Sequence, residues 1–216
     1  MAAHPNATDL YFRRAVCCLR VRQWSKALGD FRRVVDSQPQ FPWNWYHWGL
    51  LSLHQGDIQE YQRACREVVA RSAKSADNGE RHAMVHLVFL GASSGLDAHQ
   101  LLELEAANRG KTTNDDWVRL ALYRRGRFEE ASETKFETSF GAVGAMAEYR
   151  LGNESRAKAL LAEARQAIQS KRDPKTMFWP VVGTAPWSIM EPEILIREAE
   201  QLIAPNEKPT VPVPPK

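Results

Sequence analysis

The feature that most constrains this chain is internal repetition: aromatic, small and turn residues recur at a period of about 34 residues, the length of one helical hairpin in a stacked array. Across residues 8–41 the order is aromatic, aromatic, small, aromatic, proline, carried by Tyr11, Trp24, Ala27, Phe31 and Pro39. Trp45 follows Tyr11 by one such period, with Gly49 at the small position, Gly56 at a turn, and Ile58, Cys65 and Val68 on the next apolar stripe. A third unit reads LALYRRGRFEEA, marked by Leu122, Gly126, Phe128 and Ala131, and a fourth reads AMAEYRLGNESRAKALLAEA, marked by Ala145, Gly152, Ala157, Leu161 and Ala164. Small residues such as Ala27, Gly49, Ala131 and Ala157 let two helices approach closely, while Tyr11, Phe31 and Trp45 fill the space between hairpins. No single hairpin buries its own apolar face, so several must stack.

From Asp9 to Ile203 the periodicity is helical, and no series of alternating strands interrupts it. Breaks fall at Gln38-Pro39-Gln40, Gln55-Gly56-Asp57, Gly95-Leu96-Asp97, Arg125-Gly126-Arg127 and Leu151-Gly152-Asn153, where glycine accepts the left-handed conformation that ends helices. Residues 79–110 have the length of a hairpin without its signature and are read as a degenerate repeat. The expected organisation is a disordered N-terminus at 1–7, helical repeats over 8–170 and a loop containing proline and tryptophan at 171–190. A capping helix at 191–203 and a proline-rich disordered tail at 204–216 complete it.

These residues resemble the tetratricopeptide repeat (TPR) family. Through EYQRACREVVAR, LALYRRGRFEEA, AEYRLGNESRAKALLAEA and EILIREAEQLI they resemble, more narrowly, the helical C-terminal regions of some large bacterial proteins carrying a Ser/Thr kinase or WD-repeat module. The resemblance covers about residues 8 to 170. It implies an all-α, right-handed superhelix of helical hairpins, partly degenerate, that acts as a non-catalytic adaptor or scaffold binding a partner protein or peptide in a concave groove. The alternative it implies is a regulatory piece of, or acting in trans with, a bacterial kinase or WD-repeat protein. Tyr61 stands where the second unit should have alanine and Arg119 where the third should have glycine, and the interval from Gly126 to Gly152 is shorter than a full period, so the superhelix is expected to be irregular.

Composition narrows the function classes. The net charge of +3 comes from basic residues scattered among acidic ones, without the dense Lys/Arg clusters of a phosphate-binding footprint, so nucleic acid is not expected as a partner. No apolar stretch approaches the roughly 18 residues of a membrane span, and the opening MAAHPNATDL lacks the pattern of a secretory signal, so a cytoplasmic location is expected. Cys17, Cys18 and Cys65 form no CxxC pair and are read as small apolar residues rather than metal ligands or disulfide partners.

In TPR proteins the first helix of each hairpin lines the groove. Its groove-facing positions here fall on Leu19 and Arg20, Leu53 and His54, Tyr123 and Arg124, and Tyr149 and Arg150, a repeated apolar-then-basic pair. Such a ladder suits an acidic peptide whose carboxylates the arginines hold bidentately; the same pattern also suits a solvated, packed helix face. FPWNWYHWGL carries more rings than one helix face can bury, so Trp45 and Trp48 are assigned to the core and Trp43 or Tyr46 to the surface, as a possible binding anchor. The Lys/Asn clamp that reads chaperone C-termini is not matched, since Phe12, Val16, Tyr46 and Leu50 hold its positions.

Two catalytic patterns compete weakly. Gly91-Ala92-Ser93-Ser94-Gly95 matches GxSxG after the strand-like MVHLVFL, which would make Ser93 a hydrolase nucleophile, but the only later histidine, His99, is too near in sequence for the usual triad. His82 and His86 share the spacing of HExxH, yet Ala83 replaces the glutamate and no third ligand is apparent. No catalytic residue, metal site or cofactor is therefore expected.

Overall fold

The computed structural model describes residues 5–72, 77–108, 116–132, 141–172 and 187–211. All of its elements are α-helices, and the described residues contain no strand. The expectations for residues 1–4, for 173–186 of the loop, for 109–110 of the degenerate repeat and for 212–216 of the tail fall outside those residues. The chain divides into two compact units, one within Met1–Thr112 and one within Thr113–Val213.

The first unit holds three hairpins: α1 (Pro5–Arg20) with α2 (Trp24–Ser37), α3 (Pro42–His54) with α4 (Ile58–Ser72), and α5 (Asn78–Leu90) with α6 (Ala98–Asn108). Each second helix packs on the first helix of the next hairpin, α2 on α3 and α4 on α5, while α3 also packs on α5. The second unit repeats this order with α7 (Asp116–Arg124), α8 (Phe128–Ser132), α9 (Gly141–Arg150), α10 (Glu154–Arg172) and α11 (Trp187–Ile203). There α7 and α8 pack on α9, and α9 and α10 pack on α11.

One turn recurs in four of these hairpins. At Gly56 (φ 80°) the glycine N–H donates to the Leu53 carbonyl at 3.0 Å and the Asp57 N–H to the Ser52 carbonyl at 2.9 Å. This is a Schellman motif, which satisfies the last carbonyls of α3 and needs a left-handed residue at its corner. Gly126 and Gly152 form the same pair of bonds after α7 and α9, and Arg22, with φ 57°, forms it after α1.

Each unit is built round one helix that is buried on nearly every side. In α3, Trp45, Tyr46, His47, Trp48, Leu50 and Leu51 are all buried, which a helix surrounded by α2, α4 and α5 permits and a two-layer hairpin would not. In α9 every residue from Gly141 to Glu148 is buried. Gly49 is the close contact that the repeat predicts: a Cβ there would lie 2.6 Å from Ala64 Cβ and 3.0 Å from Leu87 Cδ2. Ala27, Ala131, Ala145 and Ala157 are fully buried.

Tyr61, at the alanine position of the second repeat, is fully buried without breaking the pattern. Its hydroxyl donates to the Leu87 carbonyl at 2.7 Å and accepts from the Gly91 N–H at 3.0 Å. The space comes from the next hairpin, because a Cβ on Gly91 would sit 2.7 Å from the Tyr61 ring.

The C-terminal elements differ from the sequence expectation. Helix α11 starts at Trp187, four residues before the expected capping helix, and contains Pro192. The tail is not free over residues 204–211. Glu207 pairs with Arg165 at 3.0 Å, the Thr210 N–H donates to Glu200 Oε1 at 3.0 Å, and Val211 is buried. The physical reason is the Arg165–Glu200 ion pair (2.9 Å), which gains a second carboxylate and a backbone donor from the returning chain.

Candidate functional site

The apolar-then-basic pairs occupy equivalent places, and the repeated turn explains why. Leu19, Leu53, Tyr123 and Tyr149 are the residues whose carbonyls accept from Arg22, Gly56, Gly126 and Gly152, and Arg20, His54, Arg124 and Arg150 follow directly, in the last helical turn. A cation there complements the negative end of the helix dipole. The ladder is thus in part a set of helix C-terminal charges.

Its members have different surroundings. Leu19 and Tyr46 are buried at 5% and 4% exposure. His54 is buried with its ring 4.8 Å from Trp24 of α2, while Leu53 is half-buried and Arg20 exposed. Tyr123 is buried against Phe128, with ring centroids 5.6 Å apart. Arg124 grips Glu198 of α11 with both terminal nitrogens, Nη2 lying 2.7 Å from Oε2, and its side chain is only 11% exposed. Tyr149 is half-buried and Arg150 exposed. Of the three arginines among them, Arg20 and Arg150 are the two that are exposed, and they belong to different units.

The aromatic helix is more informative. Trp43 is 38% exposed, and its ring meets that of buried Tyr46 edge-on at 5.5 Å and 81°. Trp45 and Trp48 are core residues as expected, with the Trp45 indole N–H bonded to the Pro39 carbonyl at 2.7 Å. His47 fills the centre, its ring 5.2 Å from Phe12, 5.7 Å from Phe31 and 5.4 Å from Tyr46. Burial pushes its pKa down to about 4, with the Trp43 backbone acting in the opposite direction. The Cys65 thiol is pushed up to about 12 by burial, with Tyr61 acting in the opposite direction.

The GxSxG segment has a structural explanation. The residues before it form helix α5 rather than the strand of a nucleophile elbow, Gly91 makes room for Tyr61, and Gly95 has φ 74°. Ser93 is exposed and accepts from Gln62 Nε2 at 3.2 Å, and His99 faces Glu103 at 3.6 Å. His86 is buried, and the His82 side chain lies outside the description. Among the described residues no group of three His, Cys, Asp or Glu side chains gathers to hold a metal ion, and no helix is long and apolar enough to cross a membrane.

One polar cluster escaped the sequence reading. Asp30, on the buried stripe of α2, is 3% exposed and receives Arg14 Nε and Nη2 at 2.6 Å each, while Arg33 Nη1 lies 3.5 Å away. The carboxylate holds the Arg14 pKa above its ordinary value. Both guanidinium groups lie over the Tyr11 ring, at 5.5 Å and 5.1 Å from its centroid. The available signal was an acidic residue between Ala27 and Phe31 on an otherwise apolar face. In comparisons with family models, curated proteins and solved structures, the chain matches none.

Proposed function

We propose that this chain is a TPR-like helical-hairpin module that binds a segment of a partner protein without covalent chemistry. The observation that carries the reading is Trp43, a large ring left 38% exposed yet braced by buried Tyr46 at the head of a helix buried on nearly every side. Such a ring loses little conformational freedom on binding and desolvates a large area, the properties of an interface anchor. Phe41, 48% exposed, stands two residues away. The exposed large apolar side chains among the described residues, Leu10, Val21, Phe41, Trp43, Ile58 and Leu102, all belong to the first unit. The TPR-like assignment rests on the recurring Schellman turn, the packing of each hairpin on the next first helix, and the Gly49–Ala64 contact.

The test is an affinity capture from cell extract with wild type, Trp43→Ala, and an Arg20→Glu/Arg150→Glu pair, after circular dichroism has shown equal helicity. A partner retained by the wild type and lost with Trp43→Ala supports the reading. Equal retention by all three proteins refutes Trp43 as the anchor.

A further inference from the structure

We infer that helices α1 and α2 carry a second docking site, a cationic pocket that takes an acidic segment of a partner protein. The inference rests on the protein-binding reading but uses a different face of the molecule. Phe12 and Phe31 point at His47 of α3. Arg14 and Arg33 each lie two residues further on, about 200° round a helix, so they project from the side of the hairpin turned away from α3. Between them is a pocket of about 550 Å³ lined by Arg14, Gln23, Lys26, Gly29, Asp30 and Arg33.

Its charge is one-sided where a ligand would meet it. Asp30 is buried, whereas the Arg14 and Arg33 side chains are each 58% exposed and Lys26 is exposed. The buried carboxylate acts as a tether. It takes Nε and Nη2 of Arg14 and lies 3.5 Å from Arg33 Nη1, so Arg14 is held by two hydrogen bonds with Arg33 close by, and both guanidinium groups lie over Tyr11. A guanidinium has five N–H donors in a rigid fork, so one tethered along its Nε and Nη2 edge still presents donors outward. Carboxylates match that geometry, and Lys26 and the Gln23 amide add donors at the rim.

Gly29 is a second feature of this face that packing does not account for. It stands in the interior of α2, where glycine weakens a helix relative to alanine, and a Cβ there would meet nothing within 4 Å. Packing therefore does not require it, in contrast to Gly49 and Gly91, which neighbouring side chains crowd. Its effect is a bare stretch of pocket wall, open to close approach.

The experiment titrates the full chain with a fluorescein-labelled short oligo-glutamate peptide, with inorganic phosphate as competitor, and follows size by gel filtration. Wild type should bind the peptide saturably. Lys26→Glu/Arg33→Glu should weaken it by about tenfold or more. Gly29→Leu should weaken it comparably while leaving the melting temperature unchanged or higher, an outcome that a purely structural role for Gly29 would not give. Equal binding by the three proteins, or no binding by the wild type, overturns the inference. Phosphate displacing the peptide at equal charge concentration would assign the pocket to small anions and overturn the peptide. A wild-type dimer made monomeric by Gly29→Leu would assign the face to a second copy of the chain. Absence of peptide binding by the wild type, with partner capture through Trp43 intact, would refute this site alone.

Discussion

Acidification should destabilise the first unit through one residue, His47. Its ring is 7% exposed and packed among Phe12, Phe31, Trp43 and Tyr46, so the charged form has no room for water. The folded pKa of about 4 lies below the ordinary 6.5. Below pH 6.5 the unfolded chain therefore binds a proton that the folded chain refuses, and stability falls as the pH falls. The contribution is fully present above pH 6.5 and declines toward pH 4, at about 1.4 kcal/mol per pH unit in the steep part. Between pH 7.5 and pH 5 the loss assigned to His47 is about 2 kcal/mol, which on typical stabilities of 5–15 kcal/mol is readily measured. The assay is urea unfolding followed by tryptophan fluorescence, to which Trp43, Trp45 and Trp48 contribute from α3 itself. Other groups titrate over the same interval, so the quantity to compare is the pH dependence of wild type against His47→Phe and His47→Leu. Either variant shifts the stability at pH 7.5 by its own packing change, but both should flatten the slope below pH 6.5. If the wild-type and variant slopes superimpose, protonation of His47 is not what the acid acts on, and the aromatic enclosure does not exclude the charge.

Four further outcomes follow from the packing. Gly91→Ala should cost about 1–3 kcal/mol, because the new carbon meets the Tyr61 ring at 2.7 Å, and Tyr61→Phe should cost about 1–2 kcal/mol by stranding the Gly91 N–H and the Leu87 carbonyl; thermal melts check both. Arg22→Gly should stabilise the chain by up to about 1 kcal/mol, since a left-handed φ of 57° strains a side-chain-bearing residue, and an unchanged or lower unfolding midpoint would refute that account of the turn. Native labelling with a thiol reagent should modify Cys17, which is exposed, and spare Cys18 and Cys65, which are buried, with three thiols reacting only after denaturation. Fast native loss of the Cys65 thiol would contradict its burial and its raised pKa.

The parts of this fold that were legible in the sequence are those fixed by local spacing. Gly56, Gly126 and Gly152 mark their turns because a left-handed corner selects glycine, and Gly49 marks a helix contact because nothing larger fits, with Ala27 and Ala157 fully buried at the corresponding small positions. Arg22 makes the same turn without the glycine, and only its place about one 34-residue repeat before Gly56 signals it. What the sequence hid depends on partners far along the chain. Tyr61 looks like a defect in its repeat until Gly91 is seen across from it. Arg124 looks like a groove cation until Glu198 is seen holding it, and the tail looks free until Arg165 and Glu200 are seen receiving it.

The same distinction bears on where this chain can bind. A residue recurring at the repeat period has a reason in the hairpin itself, and the apolar-then-basic pairs recur because each ends a helix beside a Schellman turn. Recurrence is thus weak support for a ligand role. The stronger marks are features the hairpin does not need: an indole left in water at Trp43 when its neighbours are buried, a glycine inside α2 with nothing packed against it, and a buried carboxylate that holds exposed Arg14 with Arg33 close by. All three lie in the first unit. Each weakens or leaves unused what the fold would otherwise exploit, and under the proposed function a partner that covers Trp43 or fills the pocket over Gly29 would supply the missing compensation.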